Sequence, residues 1–357
     1  MVLSIVTILI VPIIIFASVF EVGNIFGYNN VDNQKDGKVL GVNEDFDESF
    51  GQVLITKKEE IEDKVVGVMD SIRNDFIPKI YDFKDVSRLP GNNDKSEGPQ
   101  PIDGFDEIIV DSRISCVIDV ETGKVVYNKS NNTKVPIASI TKLMTALVFL
   151  DHSPGWEEAY TIREDDRRNG GKIFLYLGDQ VTVEDLFNLS LVGSANTATV
   201  ALVHSTGLSE EDFVQKMNDK AMELGLTDTY FEDSTGLSSG NVSTALEVAQ
   251  IAKYALAKIE INKATLKNDY SFKTLQGVVK KVYTTDYLLE SFPENGIKVL
   301  GGKTGYTELA EYCFVGKFTN KNGNEIITVV LGSDNKNSRF YETKELAEWT
   351  YGNYTWN

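Results

Sequence analysis

The apolar residues of this chain change their spacing twice after residue 106, and that change limits the fold more than any other feature. Residues 114–119 (Ile-Ser-Cys-Val-Ile-Asp) and 124–127 (Lys-Val-Val-Tyr) flank a Glu-Thr-Gly segment and read as a β-hairpin. Helical spacing then takes over, at 140–150, 183–191, 197–203, 213–224 and 245–257. Strand-like runs return at 297–304, 311–319 and 325–332, and a last helix follows over 337–350. Strands, a helical middle and a return to strands predict one α+β domain over 106–357. It would be an antiparallel sheet with helices packed on it and a helical subdomain. No internal repeat is visible.

Two segments precede that domain. Residues 2–20 carry no charge and are just long enough to cross a bilayer. No Lys or Arg comes before them (the first cation is Lys35), so the charged start of a cleaved signal is missing. Val19 makes a poor cleavage position, and no cysteine follows that could carry a lipid. Residues 1–20 are therefore expected to be a transmembrane anchor, or else a removed signal, and the chain is expected to be exported. Residues 21–105 hold 18 acidic against 10 basic residues and end in the Pro/Gly/Asn-rich run 90–104. They read as an acidic stalk or linker. Within it Ile61, Val65, Val68, Ile72 and Phe76 recur at helical spacing and predict one amphipathic helix.

A net charge of −18 argues against a nucleic-acid partner, which calls for clustered Lys and Arg. The two cysteines, Cys116 and Cys313, sit in apolar strand-like runs. They are expected to be buried free thiols, with a disulfide left open. The two histidines, His152 and His204, have no evident Asp partner in the sequence. A Ser-His-Asp triad is not expected, and a nucleophile here needs another base. No His/Cys/carboxylate cluster is apparent, so neither a metal nor another cofactor is expected. The run Gly-Gly-Lys-Thr-Gly at 301–305 lacks the spacing of a phosphate-binding loop.

Ser139 and Lys142 lie in Pro-Ile-Ala-Ser-Ile-Thr-Lys-Leu-Met-Thr-Ala (136–146), at the start of the first long helix. Three residues apart, they share a helical face, which brings an amine within reach of a hydroxyl. A lysine can take the proton of a serine if its surroundings depress its pKa. Alone the pair is equally well a helix cap beside a solvated lysine. Two further motifs change the balance. Ser-Ala-Asn at 194–196 falls between two helical runs, and Lys-Thr-Gly at 303–305 ends a strand. Serine-lysine, serine-x-asparagine and lysine-threonine-glycine in this order are the set found in penicillin-binding proteins and class A β-lactamases.

The surrounding sequence closely resembles the D-alanyl-D-alanine carboxypeptidases, the low-molecular-mass penicillin-binding proteins. The likeness runs from Thr-Gly-Lys-Val-Val-Tyr-Asn-Lys-Ser through Ser-Ala-Asn-Thr-Ala, then residues 217–231 and Ser-Thr-Gly-Leu (234–237). It continues through Ser-Thr-Ala-Leu-Glu-Val-Ala (243–249), Lys-Thr-Gly-Tyr-Thr and the last helix, covering about 106–351. It implies the penicilloyl-serine transferase fold. It also implies a bacterial, extracytoplasmic, membrane-held enzyme that acts on peptidoglycan stem peptides ending in D-Ala-D-Ala and is inhibited by β-lactams. Ser139 would be the nucleophile, Lys142 the base, kept neutral by partial burial and by the nearby Lys303 cation. Ser194 would pass a proton from Lys142 or Lys303 to the leaving amine, and Asn196 would bind substrate backbone and the Lys142 amine. The N–H groups of Ser139 and Tyr306 would form the oxyanion hole, while Lys303, Thr304 and Arg339 face the terminal carboxylate.

Some positions depart from that pattern. Asp233 stands where an Asn is usual, and Asp286 and Tyr287 stand where Asn-Lys or Asn-Arg is frequent. None is expected to touch the core motifs. Many relatives continue into a β-rich domain and a C-terminal anchor, and here the N-terminal segment would have to tether the chain instead. Three alternatives remain: a D,D-endopeptidase cutting cross-links, a serine β-lactamase, and a non-catalytic wall-binding protein. The lactamase reading suffers because 229–237 holds Glu232 without the Glu-x-x-Leu-Asn context of a deacylating glutamate.

Overall fold

The computed structural model describes residues 98–104, 107–292 and 295–356. The expected anchor at 1–20 and the amphipathic helix of the stalk lie outside the described residues. The end of the stretch expected to be a flexible linker is described over 98–104, and there Gln100 and Pro101 pair with Thr355 and Tyr354 as a short antiparallel strand. Among the described residues, no helix is long and apolar enough to cross a membrane.

The domain is built on a five-stranded antiparallel sheet. We number the strands β1 (Ile114–Asp119), β2 (Val125–Lys129), β3 (Asp269–Lys273), β4 (Val279–Tyr283), β5 (Lys298–Thr307), β6 (Glu311–Thr319) and β7 (Glu325–Ser333). The central sheet runs β5-β6-β7-β1-β2, so two strands from the start of the domain complete a sheet begun by three from its end. Ile327 pairs with Ile118 and Val329 with Cys116 across that join. Both faces are covered, which is why β1 and β7 read as nearly unbroken apolar runs.

The period of two sorts these strands between two cores. Cys116, Ile118, Cys313, Val315, Ile327 and Val329 face the helical side. Val117, Phe314, Phe318, Ile326 and Val330 face the other side, against Phe340, Leu346 and Ala347 of the last helix. Both cysteines are buried free thiols. Burial pushes Cys116 up to about 12 and Cys313 up to about 11, so neither is reactive at neutral pH.

The helices longer than one turn are α1 (Lys142–His152), α2 (Val183–Val192), α3 (Asn196–Ser205), α4 (Glu210–Glu223), α5 (Ala245–Leu256), α6 (Ile259–Thr265) and α7 (Ser338–Asn353). Thr182 and Asp185 close α2 with reciprocal side-chain bonds to backbone N–H groups, which satisfies the orphan donors of the first turn. The sequence reading located every one of these helices except α6, which is seven residues long. It also missed the β3–β4 hairpin, whose exposed charged positions blur the alternation of apolar residues.

Candidate active site

Ser139 sits in a 3₁₀ turn (Ala138–Thr141) that feeds directly into α1, whose first residue is Lys142. A 3₁₀ turn has three residues per turn, so side chains at i and i+3 eclipse. This puts Lys142 Nζ 3.0 Å from Ser139 Oγ. Ala138 adopts a left-handed φ of 47° just before the nucleophile. That peptide is hemmed in on two sides. A Cβ on Gly236 would fall 1.9 Å from Ala138 O, and one on Gly305 would fall 2.8 Å from Ile137 O. Only glycine lets the Ser-Thr-Gly-Leu turn and the Lys-Thr-Gly strand approach the nucleophile this closely.

Lys142 is fully buried, and its amine also reaches Asn196 Oδ1 at 2.7 Å and Thr235 O at 2.6 Å. A neutral amine has two N–H bonds and one lone pair. The two carbonyl oxygens take the two N–H groups, which leaves the lone pair for the Ser139 hydroxyl. Burial brings the Lys142 pKa down to about 7, while the Asp233 carboxylate pulls in the opposite direction. Among the described residues, no carboxylate hydrogen-bonds Ser139, Lys142 or Asn196. Burial of Lys142 is complete and not the partial burial expected, and repulsion from Lys303 is not needed to explain its shift.

Lys303, on β5, is buried too. Its Nζ donates to Ser194 Oγ at 2.9 Å and to Thr304 O at 3.0 Å. Its pKa lies well below the ordinary lysine value because of burial first, then the charges of Lys142 and Arg339, against an opposing pull from Asp286. The sequence left Ser194 between two lysines, and the structure pairs it with Lys303. Ser194 holds a left-handed φ of 54° in the short link between α2 and α3. Asn196, the first residue of α3, accepts from Lys142 and donates Nδ2 to Gly170 O at 3.1 Å. This bond fixes the amide orientation and leaves the second Nδ2 hydrogen for a ligand. Thr304 Oγ1 lies 2.6 Å from Thr285 Oγ1. Tyr306 is half exposed, and its ring stacks on Tyr312.

Arg339 is neither the surface cap nor a freely presented guanidinium. It is buried at the start of α7, with Nη1 donating to Gly305 O at 2.9 Å and Cys313 O at 3.3 Å. It thereby ties the last helix to the strand carrying Lys303, and burial lowers its pKa to about 10.

Three expectations need correction. Asp233 does bear on the core motifs. Its Oδ1 accepts from Thr235 N and Gly236 N at 2.6 Å, an Asx-type turn that aims Thr235 O at Lys142. Asp286 also bears on them: it is buried against Gly302 and is one of the charges setting the state of Lys303. Finally, His204 does have an aspartate partner. Its Nδ1 lies 2.6 Å from Asp166 Oδ1, which also accepts from Tyr160 Oη at 2.9 Å, and Asp165 is the third member of this small cluster. The pair is 38 residues apart in the chain, so no local spacing announces it. The catalytic serine takes no part in it, its partner being Lys142. The carbonyls of Thr235 and Gly170 escaped the sequence reading because a backbone acceptor leaves no residue-type signal.

A serine activated by a buried lysine, with a second serine–lysine pair facing it, defines an acyl-transferring serine hydrolase. Comparison with known proteins agrees. The profile of the D-alanyl-D-alanine carboxypeptidase family, peptidase family S11, matches residues 103–335, and the chain belongs to that family. The D-alanyl-D-alanine carboxypeptidase DacF of Bacillus subtilis is 33% identical over 257 residues, 70% of this chain and 64% of that protein. A D-alanyl-D-alanine endopeptidase of Haemophilus influenzae is 33% identical over 231 residues, 64% of this chain and 76% of its own length. The crystal structure of the Streptomyces K15 DD-transpeptidase superposes with a TM-score of 0.64 at 26% identity, covering 70% of this chain and all of that one. The fold is that of the penicilloyl-serine transferases, as the motifs implied.

Proposed function

We propose that the chain is a serine-type D,D-carboxypeptidase that removes the terminal D-alanine from peptidoglycan stem peptides through an acyl-enzyme on Ser139. The observation that carries this reading is the Lys142 amine, whose two N–H groups are taken by Asn196 and Thr235 while Ser139 Oγ stands 3.0 Å away. Ser139 Oγ attacks the carbonyl between the two D-alanines and gives its proton to Lys142 Nζ. Ser194, held by Lys303, relays a proton to the departing amine. Water then cleaves the Ser139 ester. The N–H groups of Ser139 and Tyr306 receive the oxyanion, each worth ~3–4 kcal/mol in the transition state. Lys303, Thr304 and Arg339 form the positive end that receives the terminal carboxylate, and Asn196 Nδ2 holds the peptide backbone.

β-Lactams should acylate the same serine and stay there. The one acid singled out as a deacylation candidate, Glu232, is exposed and accepts from the Ser238 hydroxyl instead of reaching the catalytic pair. The uncharged run 2–20 supports attachment to the outer face of the cell membrane.

The test uses penicillin labelling of wild type and Ser139→Ala, with D-alanine release from a pentapeptide measured on the same samples. A long-lived adduct together with D-alanine release supports the reading. Rapid penicillin turnover without adduct would move it to a β-lactamase. Cleavage of dimeric muropeptides in place of D-alanine release would move it to an endopeptidase, the activity named for the Haemophilus relative.

A further inference from the structure

Asp286 is a buried acid that the chemistry above does not use. It lies between the β3–β4 hairpin and β5 and is 3% exposed. Its Oδ1 accepts the Leu288 N–H at 2.9 Å, and its own N–H donates to Thr284 Oγ1 at 3.0 Å. Its Oδ2 has no hydrogen-bond partner among the described residues. That oxygen is 3.1 Å from where a Cβ would stand on Gly302, so the carboxyl group rests against the backbone leading into Lys303. The adjacent Thr285 is hydrogen-bonded to Thr304. Arg339 Nε, a buried donor, is likewise unpartnered. An acceptor and a donor of opposite charge, both unsatisfied, thus flank the positive end of the site. Buried groups of this kind carry a desolvation penalty that a change of protonation or a ligand can relieve.

We propose that Asp286 is a positioning residue for the carboxylate end of the ligand, coupling the binding of a terminal carboxylate to uptake of one proton from solvent. Ionised, Asp286 offsets part of the charge that Lys303 and Arg339 offer to an anion. Protonated, it releases that charge to the ligand. The proposal rests on the reading that Lys303, Thr304 and Arg339 receive a C-terminal carboxylate.

The groups around Asp286 make the sign definite. Lys303 faces it from β5 and Arg339 from α7. Behind them stand Lys142 against Lys303, and Cys313 and Tyr312 beside Arg339. Next to Asp286 in the chain is Tyr287, which is hydrogen-bonded to Lys336. Burial holds the Asp286 carboxyl up at about 7, against the Leu288 N–H and the two cations. An incoming carboxylate adds a second negative charge and favours the protonated form further. Affinity for an anion should therefore fall as pH rises through about 7, and affinity for a neutral analogue should not. Asp286→Asn removes the titrating group and keeps the side chain neutral at every pH.

The experiment measures kcat and KM from pH 5.5 to 8.5 for an acyl-D-Ala-D-Ala peptide and for its C-terminal amide, in wild type and Asp286→Asn. The same series is run for penicillin acylation, since penicillin also carries a carboxylate. In wild type, KM for the acid should climb several-fold above neutrality, by at most ~tenfold per pH unit. The amide should show no such rise. In Asp286→Asn the climb should leave the region around pH 7, any remainder moving to lower pH because Lys303 loses the opposing pull of Asp286, while kcat still rises with pH through Lys142. An unchanged KM profile in Asp286→Asn would assign the effect to Lys303 and overturn the proposal, as would a flat profile in wild type. Asp286→Ser serves if the Asn variant does not fold. If neither peptide is hydrolysed, the carboxypeptidase reading fails, but the penicillin series still reads Asp286.

Discussion

Lys142 Nζ lies 3.0 Å from Ser139 Oγ at the point where a 3₁₀ turn passes into a helix. The eclipsed spacing supplies the distance, and complete burial keeps the amine neutral, with its lone pair free. The two effects have different origins and can be tested separately.

Acylation should follow the neutral fraction of Lys142. A lysine lowered to about 7 is roughly one-tenth neutral at pH 6 and half neutral at pH 7. The second-order rate of labelling by a fluorescent penicillin should thus rise ~tenfold per pH unit below neutrality and level off above it. A rate independent of pH between 5.5 and 8 would exclude Lys142 as the base.

Asp233 opposes the lowering of Lys142, so its removal should have a definite sign. In Asp233→Asn the amine loses a neighbouring negative charge, and the midpoint of the acylation profile should move to more acidic pH. The Ser238 N–H also loses its carboxylate acceptor, at a cost of ~1–3 kcal/mol in stability. Thermal melting run beside the labelling series separates the two consequences.

Gly305→Ala should damage the site without touching a reacting group. The added methyl would press on Ile137 O and on Ala138 Cβ, 3.2 Å away. Overpacking of this kind costs ~1–3 kcal/mol, and the strand and the nucleophile turn must separate to accommodate it. Acylation should fall ~10²-fold, the usual cost of an ångström of misplacement. A variant with full acylation and an unchanged melting temperature would show that the approach is not needed.

Ser194→Ala removes the hydroxyl that Lys303 holds, the proposed relay to the leaving group. With proton relay lost, turnover of the peptide should drop ~10²–10⁴-fold. The fold should survive, because Ser194 is half-buried and its side chain bonds only Lys303 among the described residues. Peptide turnover and circular dichroism on the same preparation check both halves of this.

Asp286 also makes a stability claim with a fixed sign. Its folded pKa is raised from 3.8 to about 7, so stability that is fully present below 3.8 is lost as pH rises through about 7. Asp286→Asn should accordingly raise the melting temperature more at pH 8 than at pH 5. Equal changes at the two pH values would contradict the burial of an ionisable group here.

Much of this is legible in the sequence. The change of spacing from strand to helix and back announces the α+β order, because apolar periodicity is a local property. The identities of Ser139, Lys142, Ser194, Asn196 and Lys303 are local as well, since each motif is a few residues long. Other features belong to the tertiary structure alone. That β1 and β2 complete a sheet with β5, β6 and β7 is decided by pairing across about 200 residues. The pKa of Lys142 depends on complete burial by elements distant in the chain, and the acceptors that take its two N–H groups come from residues 54 and 93 positions away. The same is true of Asp233, Asp286 and the His204–Asp166 pair. A charge acquires its function from the dielectric and the neighbours around it, and those exist only once the chain has folded.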